Sequence, residues 1–244
     1  YIHKSIDIYY GPAKDGDLYK RSNIEGLSKH IDNKADIVTG DGGFDFSINY
    51  SNQEQLSYRL IFCQIVCAFS TLKIGGNFVV KIFDIFTNLN IKLIYFLSTM
   101  FLDGIYIIKP FTSRPANSEK YIVCKNFKGI EENYLYKLYD IIDNWEHITN
   151  QNKYINDLFD IDVPTEFSNS IKKYNIYTVT NQIKNILKTL TYINLNLNNN
   201  IINKLKQEQS LISLLWCKKY NIDINFRCKY LNKQIYYYDY IQNF

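Results

Sequence analysis

Two apolar runs that each lead into a charged residue mark the centre of this sequence. Ala35–Thr39 predicts a short buried strand, and it runs into Asp41-Gly42-Gly43-Phe44, a pattern typical of a sharp turn. Phe78–Val80 predicts a second strand, which ends on Lys81. Ligands collect at the carboxyl edge of the strands in open α/β sheets. We therefore expect Asp41 and Lys81 to form a site there; the alternative is a pair of solvated charges at two strand ends.

A predicted helix separates these two strands, and further elements are predicted after them. From Gln53 to Leu72 apolar residues recur every three or four positions, which predicts a long helix capped by Gly75-Gly76. Strands that alternate with helices predict an α/β fold, with a mainly parallel sheet and helices on both of its faces. The other elements predicted in this part of the chain are helices over Ile24–His30 and Asn90–Phe101 and strands over Ile105–Ile108 and Tyr121–Cys124.

Beyond Lys125 the pattern becomes helical, with helices predicted over residues 131–150, Ser168–Thr191 and Ile201–Tyr220. We therefore expect two parts: residues 1–130 contain the sheet, and residues 131–244 form a helical extension packed on it. The tail from Tyr230 to Phe244 contains a cluster of tyrosines. Such a cluster either stacks on nucleic-acid bases or packs against the domain, and packing is the more common use.

Composition narrows the class of protein and the compartment. The net charge of +4 is mild and is compatible with a polyanionic partner. Five cysteines without a Cys-x-x-Cys pair, and no signal sequence, predict a reduced, intracellular protein, without choosing between nucleus, cytoplasm and a viral factory. The three scattered histidines argue against a metal site. The apolar run Leu93–Phe101 is too short to span a membrane. The sequence does not indicate an oligomeric state.

Two polar loops carry candidate chemistry. Lys14-Asp15-Gly16-Asp17-Leu18 places two carboxylates around a glycine, which suits a ribose hydroxyl pair, a cation or a plain polar turn. Lys109–Glu119 lies between two predicted strands and contains serine, arginine, asparagine and glutamate side chains. Loops of this composition usually carry function. The alternative is a surface hairpin with ordinary turn chemistry.

Three motifs in this order, Asp41–Phe44, Lys81-Ile82-Phe83-Asp84 and Ser113–Glu119, resemble the FtsJ-like RNA ribose 2′-O-methyltransferases. Within that family they resemble the enzymes that methylate the first transcribed nucleotide of capped mRNA. The resemblance is close over residues 8 to 130 and loose beyond, and it implies a Rossmann-like fold that uses S-adenosylmethionine. Because the chain starts at Tyr1 in what reads as mid-domain sequence, we expect an upstream part of this domain to be absent. The supporting motifs are Tyr9-Tyr10-Gly11, Asp15-Gly16-Asp17, Lys109-Pro110 and Leu215-Trp216.

The resemblance also implies roles for individual residues. The family uses a Lys-Asp-Lys-Glu tetrad, and Asp41, Lys81 and Glu119 match its second, third and fourth members. Its first lysine and the glycine-rich cofactor loop are expected upstream of Tyr1. The residues expected to hold S-adenosylmethionine are Asp17, Leu18 and Asp41. The residues expected to contact capped RNA are Ser51, Asn52, Gln53, Arg114 and Asn117, although Arg114 is equally suited to a structural role in its loop.

The chemistry of ribose methylation suits these residues. A 2′-hydroxyl is a poor nucleophile, and a neutral lysine amine is able to remove its proton. Lys81 is the candidate base, and Asp41 and Glu119 are candidates to orient it. Two rival functions stay open from the sequence. One is a ribose methyltransferase that acts on ribosomal or transfer RNA; the other is a non-catalytic RNA-binding or scaffold subunit.

Overall fold

Four strands form one sheet, in the order β1-β2-β4-β3. Their bounds are β1 Ala35–Gly40, β2 Leu72–Ile82, β3 Ile105–Ile108 and β4 Lys120–Cys124. The computed structural model describes residues 6–31, 34–46, 49–149, 155, 157–195, 199–225 and 227. The tyrosine cluster of the tail lies outside these residues.

Seven helices are formed by the described residues, close to the positions that the periodicity predicts. The helix predicted over residues 131–150 is two helices, because Asn144 interrupts it. A 3₁₀ turn, Tyr50–Asn52, precedes the second helix. The helices are α1 Arg21–His30, α2 Gln53–Thr71, α3 Asn88–Met100, α4 Glu132–Asp143, α5 Trp145–Thr149, α6 Thr165–Asn194 and α7 Asn199–Lys219.

The α/β class is as predicted, but the strand pairing is mixed. β1 and β2 are parallel, whereas β4 lies between β2 and β3 and is antiparallel to both. Three strands therefore point the same way, yet only one of the three strand pairs is parallel, so the expected mainly parallel sheet is corrected to a mixed one. The physical reason is the loop between β3 and β4. It contains no helix that would carry the chain across the sheet, so the chain returns as an antiparallel neighbour.

Gly75 and Gly76 do not cap α2, contrary to expectation. The helix ends at Thr71, and Leu72 is already extended. Both glycines lie inside β2, where its register with β1 shifts. Gly75 adopts a φ of +82°, and a Cβ on Gly76 would lie 2.9 Å from the carbonyl oxygen of Lys73. The glycines therefore permit an irregularity in the strand, a role that glycine often takes in sheets.

The helices cover one face of the sheet. Phe78 and Val80 of β2 and Ile122 of β4 are buried in the same apolar core as most of α2 and α3. The opposite face is open at Ile37 and Tyr106, which are 61% and 53% exposed. β1 is therefore not the buried strand that was predicted: it lies at the edge of the sheet, and only Gly40 among its residues is buried. We expected helices on both faces; within the described residues the core forms on one. Residues of α2 and α3 line one small gap in this core together with Ile82 of β2 and Ile122 of β4, so both helices lie on the same face of the sheet.

The structure divides into two compact units, Tyr1–Lys184 and Asn185–Phe244. The first contains the sheet, α1 to α5 and most of α6, so residues 131–184 belong with the sheet in space. The boundary at residue 130 stays a prediction about where the methyltransferase sequence ends. All residues discussed below lie in the first unit.

Candidate active site

Lys81 and Asp41 form an ion pair at the edge of the sheet. Lys81 is the penultimate residue of β2, and Asp41 follows the last residue of the neighbouring parallel strand β1. The Lys81 Nζ atom lies 3.1 Å from Asp41 Oδ1 and donates a hydrogen bond to the Asp41 carbonyl oxygen at 2.9 Å. The lysine side chain is 15% exposed and the aspartate side chain 67%. The amine is therefore sheltered and held in place, while its carboxylate partner faces solvent.

The turn after β1 fixes this pair by backbone contacts. The Gly42 N–H donates to Oε1 of Gln64 at 2.8 Å, and Gln64 is buried on α2. A Cβ on Gly43 would lie only 3.2 Å from Lys81 Nζ, so a larger residue there would push against the amine. Gln64 was missed in the sequence. The available signal was a polar residue inside the apolar stretch of α2, and an unpaired buried amide is costly.

Tyr121 connects the two carboxylates of the site. It lies directly across from Lys81 in the β2–β4 pair. Its hydroxyl oxygen lies 3.2 Å from Asp41 Oδ1 and 3.4 Å from Glu119 Oε1, and one O–H donates to one acceptor at a time. Burial, followed by the charges of Glu119 and Asp41, raises the pKa of Tyr121 to about 12, so the phenol keeps its proton. The sequence predicted Tyr121 only as a strand residue.

Lys109 organises the loop between β3 and β4. Its Nζ lies within hydrogen-bond distance of four oxygen atoms, which share its three N–H donors: Asn117 Oδ1 at 2.7 Å, the carbonyl oxygens of Asn117 and Glu119 at 3.0 and 2.9 Å, and Ser113 Oγ at 3.3 Å. The Ser113 hydroxyl in turn donates to Glu119 Oε1 at 3.1 Å. Burial, with the nearby charge of Lys120 adding to it, lowers the pKa of Lys109. One amine thus closes the loop and sets the position of Glu119.

Behind the site, buried ionic groups hold the segment that follows Lys81. The Lys120 amine is almost fully buried; it bonds Asp84 Oδ1 at 3.0 Å and the carbonyl oxygen of Ser118 at 2.9 Å. The buried Glu54 carboxylate accepts hydrogen bonds from the backbone N–H groups of Phe86 and Thr87 before α3. These contacts satisfy backbone groups at the start of that helix. They also fix the end of β2, and with it Lys81.

A cavity of about 780 Å³ opens where these groups meet. Asp41, Lys81 and Glu119 all line it, so the convergence expected from the strand ends is present. Gln182 of α6 also reaches it and donates to the Ala116 carbonyl oxygen at 3.2 Å. The described lining residues are Asp41, Gly43, Phe44, Asp45, Phe46, Gln53, Lys81, Phe83, Asp84, Arg114, Ala116, Asn117, Ser118, Glu119 and Gln182.

The predicted RNA-contacting residues divide into two groups. Gln53, Arg114 and Asn117 line the cavity, and Gln53 accepts a hydrogen bond from the Ser118 hydroxyl at 2.8 Å. Ser51 and Asn52 lie in the 3₁₀ turn just before α2 and are not among the described lining residues. Their predicted role therefore requires RNA that extends beyond the cavity.

The predicted cofactor residues Asp17 and Leu18 lie in the turn before α1, apart from the described lining of the cavity. The Asp17 carboxylate is exposed and accepts a hydrogen bond from the Tyr19 N–H at 2.9 Å. Leu18 packs partly against the core. Asp15 organises the turn by bonding the side chain of Asn23 at 2.8 Å. The hydrogen bonds from Lys20, the Asp17 N–H and Asn23, named in order of effect, lower the pKa of Asp15 to about 2.

Two features are absent among the residues that the structure describes. Among those residues, no group of three or more histidine, cysteine, aspartate or glutamate side chains is arranged to hold a metal ion. Within the same part of the chain, no helix is long and apolar enough to cross a membrane.

Comparisons with known proteins point in one direction. A family model described as FtsJ-like methyltransferase matches residues 4–127. Cap-specific mRNA (nucleoside-2′-O-)-methyltransferase 1A of Caenorhabditis briggsae is 40% identical over 139 residues, which cover 53% of this chain and 16% of that protein. Cap-specific mRNA (nucleoside-2′-O-)-methyltransferase 1 of Dictyostelium discoideum is 37% identical over 184 residues, which cover 72% of this chain and 23% of the relative.

A further relative is named as inactive. Inactive cap-specific mRNA (nucleoside-2′-O-)-methyltransferase 1B of Caenorhabditis briggsae is 38% identical over 128 residues, covering 50% of this chain and 15% of that protein. The chain thus spans less than a quarter of the length of each of these three relatives.

Proposed function

Because this chain belongs to the FtsJ-like methyltransferase family, we propose that it methylates the ribose 2′-hydroxyl of the first transcribed nucleotide of capped mRNA. The methyl donor is S-adenosylmethionine. The observation that carries the proposal is the Lys81 amine, held by Asp41 in a cavity that Glu119 also lines. The names of the relatives support the choice of the capped 5′ end as substrate.

Lys81 acts as the general base in this proposal. Its amine is restrained at two points by Asp41, through the carboxylate and through the carbonyl oxygen, and it opens onto the cavity. A neutral amine at that position would accept the proton of the 2′-hydroxyl as the hydroxyl oxygen bonds to the methyl carbon, while the bond from that carbon to the donor's sulfur breaks and leaves its electron pair on sulfur. General-base catalysis of this kind is worth roughly 10²–10⁴-fold in rate. The fixed position of the amine adds an orientation effect.

Asp41 and Glu119 position Lys81 and the substrate. Both carboxylates are reached by the hydroxyl of Tyr121, which stays protonated and spaces them. Two carboxylates so close to each other repel, and a hydrogen-bond donor between them relieves the repulsion. The orientation of Lys81 therefore depends on a connected group of side chains.

The carboxylates that line the cavity suit a positively charged methyl donor. Four carboxylates, those of Asp41, Asp45, Asp84 and Glu119, line it. When bound, S-adenosylmethionine supplies an electrophilic methyl group on a positively charged sulfur. Asp41 would lie on the side of that charge, and Asp17 with Leu18 would hold the adenosine, as the family resemblance implies. The exposed Asp17 carboxylate is accessible for this purpose.

The lining residues that we assign to RNA are polar, and one of them, Arg114, is positively charged. Arg114 is exposed at the loop and is suited to a backbone phosphate, while Gln53 and Asn117 present amide groups. Contacts to phosphate and to the 2′-hydroxyl are those that RNA recognition requires. Ser51 and Asn52 extend this surface along the turn before α2.

One alternative has a specific observation in its favour. One relative is named as inactive, which supports a non-catalytic function as the alternative. Such a chain would bind RNA as a partner subunit. Against that reading, the pair of Lys81 and Asp41 is formed and Glu119 lies in the same cavity.

Transfer of a labelled methyl group to defined RNAs tests the proposal. The full-length protein is incubated with labelled S-adenosylmethionine and a capped oligoribonucleotide, with the same RNA carrying a 2′-O-methyl group on its first nucleotide as the matched control. Label is expected in the first RNA and not in the control. Equal labelling of both RNAs would place the methyl group elsewhere. Equal labelling of capped and uncapped RNA would favour an enzyme acting on ribosomal or transfer RNA.

A further inference from the structure

Phe44 exposes an apolar ring at the mouth of the catalytic cavity. It lies in the turn after β1, three residues beyond Asp41, and it lines the same cavity as Lys81. Its side chain is 52% exposed. Leaving so much of a phenylalanine in water forfeits the free energy that its burial would contribute. Phe86 and Phe111 are exposed as well, but of these three rings only Phe44 is among the described residues that line the cavity.

The Phe44 ring packs against a second phenylalanine ring, which in turn packs against a third. Its centroid lies 6.3 Å from that of Phe46, with the planes at 85°. Phe46 is only 6% exposed and meets Phe83 at 5.3 Å and 75°. Edge-to-face contacts of this kind are favourable and fix ring orientation. The three phenylalanines thus form a connected row from the mouth of the cavity to the end of β2.

The location of this ring matches the chemistry of the substrate. If Lys81 receives the 2′-hydroxyl proton, the methylated ribose lies beside the Lys81–Asp41 pair, and its base extends from the neighbouring carbon of the same sugar. A base presents flat faces that stack on aromatic side chains, and such stacking tolerates any base. Phe46 and Phe83 are buried, so Phe44 is the ring of this row that is exposed enough to receive one.

We propose that Phe44 binds the base of the methylated nucleotide by stacking. This inference rests on the proposed function, since it takes its ligand from it. Phe44 is a binding residue in this account: it places the ribose against Lys81 and takes no part in proton transfer. Because stacking reads the face of the base and not its edge, the enzyme should accept any first nucleotide.

Three variants of the full-length protein and two RNAs test the assignment. Phe44→Leu keeps an apolar side chain and removes the aromatic face, and Phe44→Tyr keeps the ring. Phe86→Leu is the matched control, because Phe86 is also exposed but is not among the described residues that line the cavity. The RNAs are a capped oligoribonucleotide and the same RNA with an abasic ribose at the first nucleotide, each titrated by fluorescence anisotropy.

Phe44→Leu should weaken binding of the intact RNA roughly 5- to 100-fold, as expected for loss of one base–aromatic stack. Phe44→Tyr and Phe86→Leu should bind like the unmodified protein. The abasic RNA should bind the unmodified protein less well, but Phe44→Leu should lose little more on it, since both changes remove the same contact. Thermal melts should be nearly unchanged, because the ring is exposed.

Two results would overturn the inference while leaving the proposed function intact. One is unaltered binding by Phe44→Leu when the unmodified protein binds and methylates the RNA. The other is an abasic penalty as large in Phe44→Leu as in the unmodified protein, which would mean that the ring contacts something other than this base. Failure of the unmodified protein to bind or methylate capped RNA would overturn the proposed function, and the inference with it.

Discussion

At the scale of single residues, the hydroxyl of Tyr121 is the contact on which the site geometry depends most. It reaches both Asp41 and Glu119, and its pKa of about 12 keeps it a donor throughout the physiological range. In Tyr121→Phe the two carboxylates lose this donor and repel each other, so Asp41 no longer holds Lys81 in place. We expect kcat for RNA methylation to fall about 10-fold, because small displacements of catalytic groups are costly. KM for the capped RNA should change little.

The matched control for this prediction is Tyr106→Phe. Tyr106 is an exposed tyrosine of the same sheet that is not among the described lining residues. Steady-state kinetics of both variants, with thermal melts, separate positioning from folding. Equal kcat values for Tyr121→Phe and the unmodified protein would show that the carboxylates are held without the phenol.

At the scale of elements, the loop between β3 and β4 depends on Lys109. Its three N–H donors are shared among four oxygen atoms of the loop, including the carbonyl oxygen of Glu119. Lys109→Met keeps the length of the side chain and removes these bonds, so Asn117 and Glu119 should lose their fixed positions together. We expect kcat to fall about 10-fold and KM for RNA to rise, since the same loop carries Glu119 and Asn117, which we propose to position the base and to contact RNA.

Lys125→Met serves as the control for the loop, because Lys125 is exposed beyond β4. Steady-state kinetics should show the loss in Lys109→Met alone. A change in KM without a change in kcat would mean that Lys109 shapes the RNA surface but leaves Glu119 in place.

The sequence predicted the elements well where one pattern determined them. The period of α2 and the apolar runs of β1 and β2 predicted where these elements lie, and so where Asp41 and Lys81 emerge. Burial was predicted less well, because β1 is an edge strand of the sheet and only its last residue is buried. The direction of β4 was not predictable in this way, because its apolar pattern fits a parallel and an antiparallel strand equally well. Gly75-Gly76 fits a helix cap or a strand irregularity equally well, and only the pairing of β2 with β1 decides between them.

At the scale of the whole molecule, the site is assembled from segments far apart in sequence and carried by one unit. Asp41 and Lys81 were predictable because charged residues at strand ends stand out against apolar neighbours, and Glu119 was predictable because its loop matches a family motif. Gln64, Lys109 and Tyr121 were not assigned to the site, because their roles depend on partners 22, 10 and 80 residues away in the chain. Those partners become neighbours only when the sheet has formed.

The central claim is that Lys81 removes a proton and does not merely attract RNA. Arginine keeps the positive charge at this position but does not give up its proton at physiological pH, and its planar group does not replace an amine. The decisive measurement is labelled methyl transfer to capped RNA by Lys81→Arg in the full-length protein, with RNA binding measured in parallel. The account predicts that binding persists within a few-fold while transfer falls by roughly 100-fold or more. Substantial turnover by Lys81→Arg would contradict it, and would make Lys81 an electrostatic anchor.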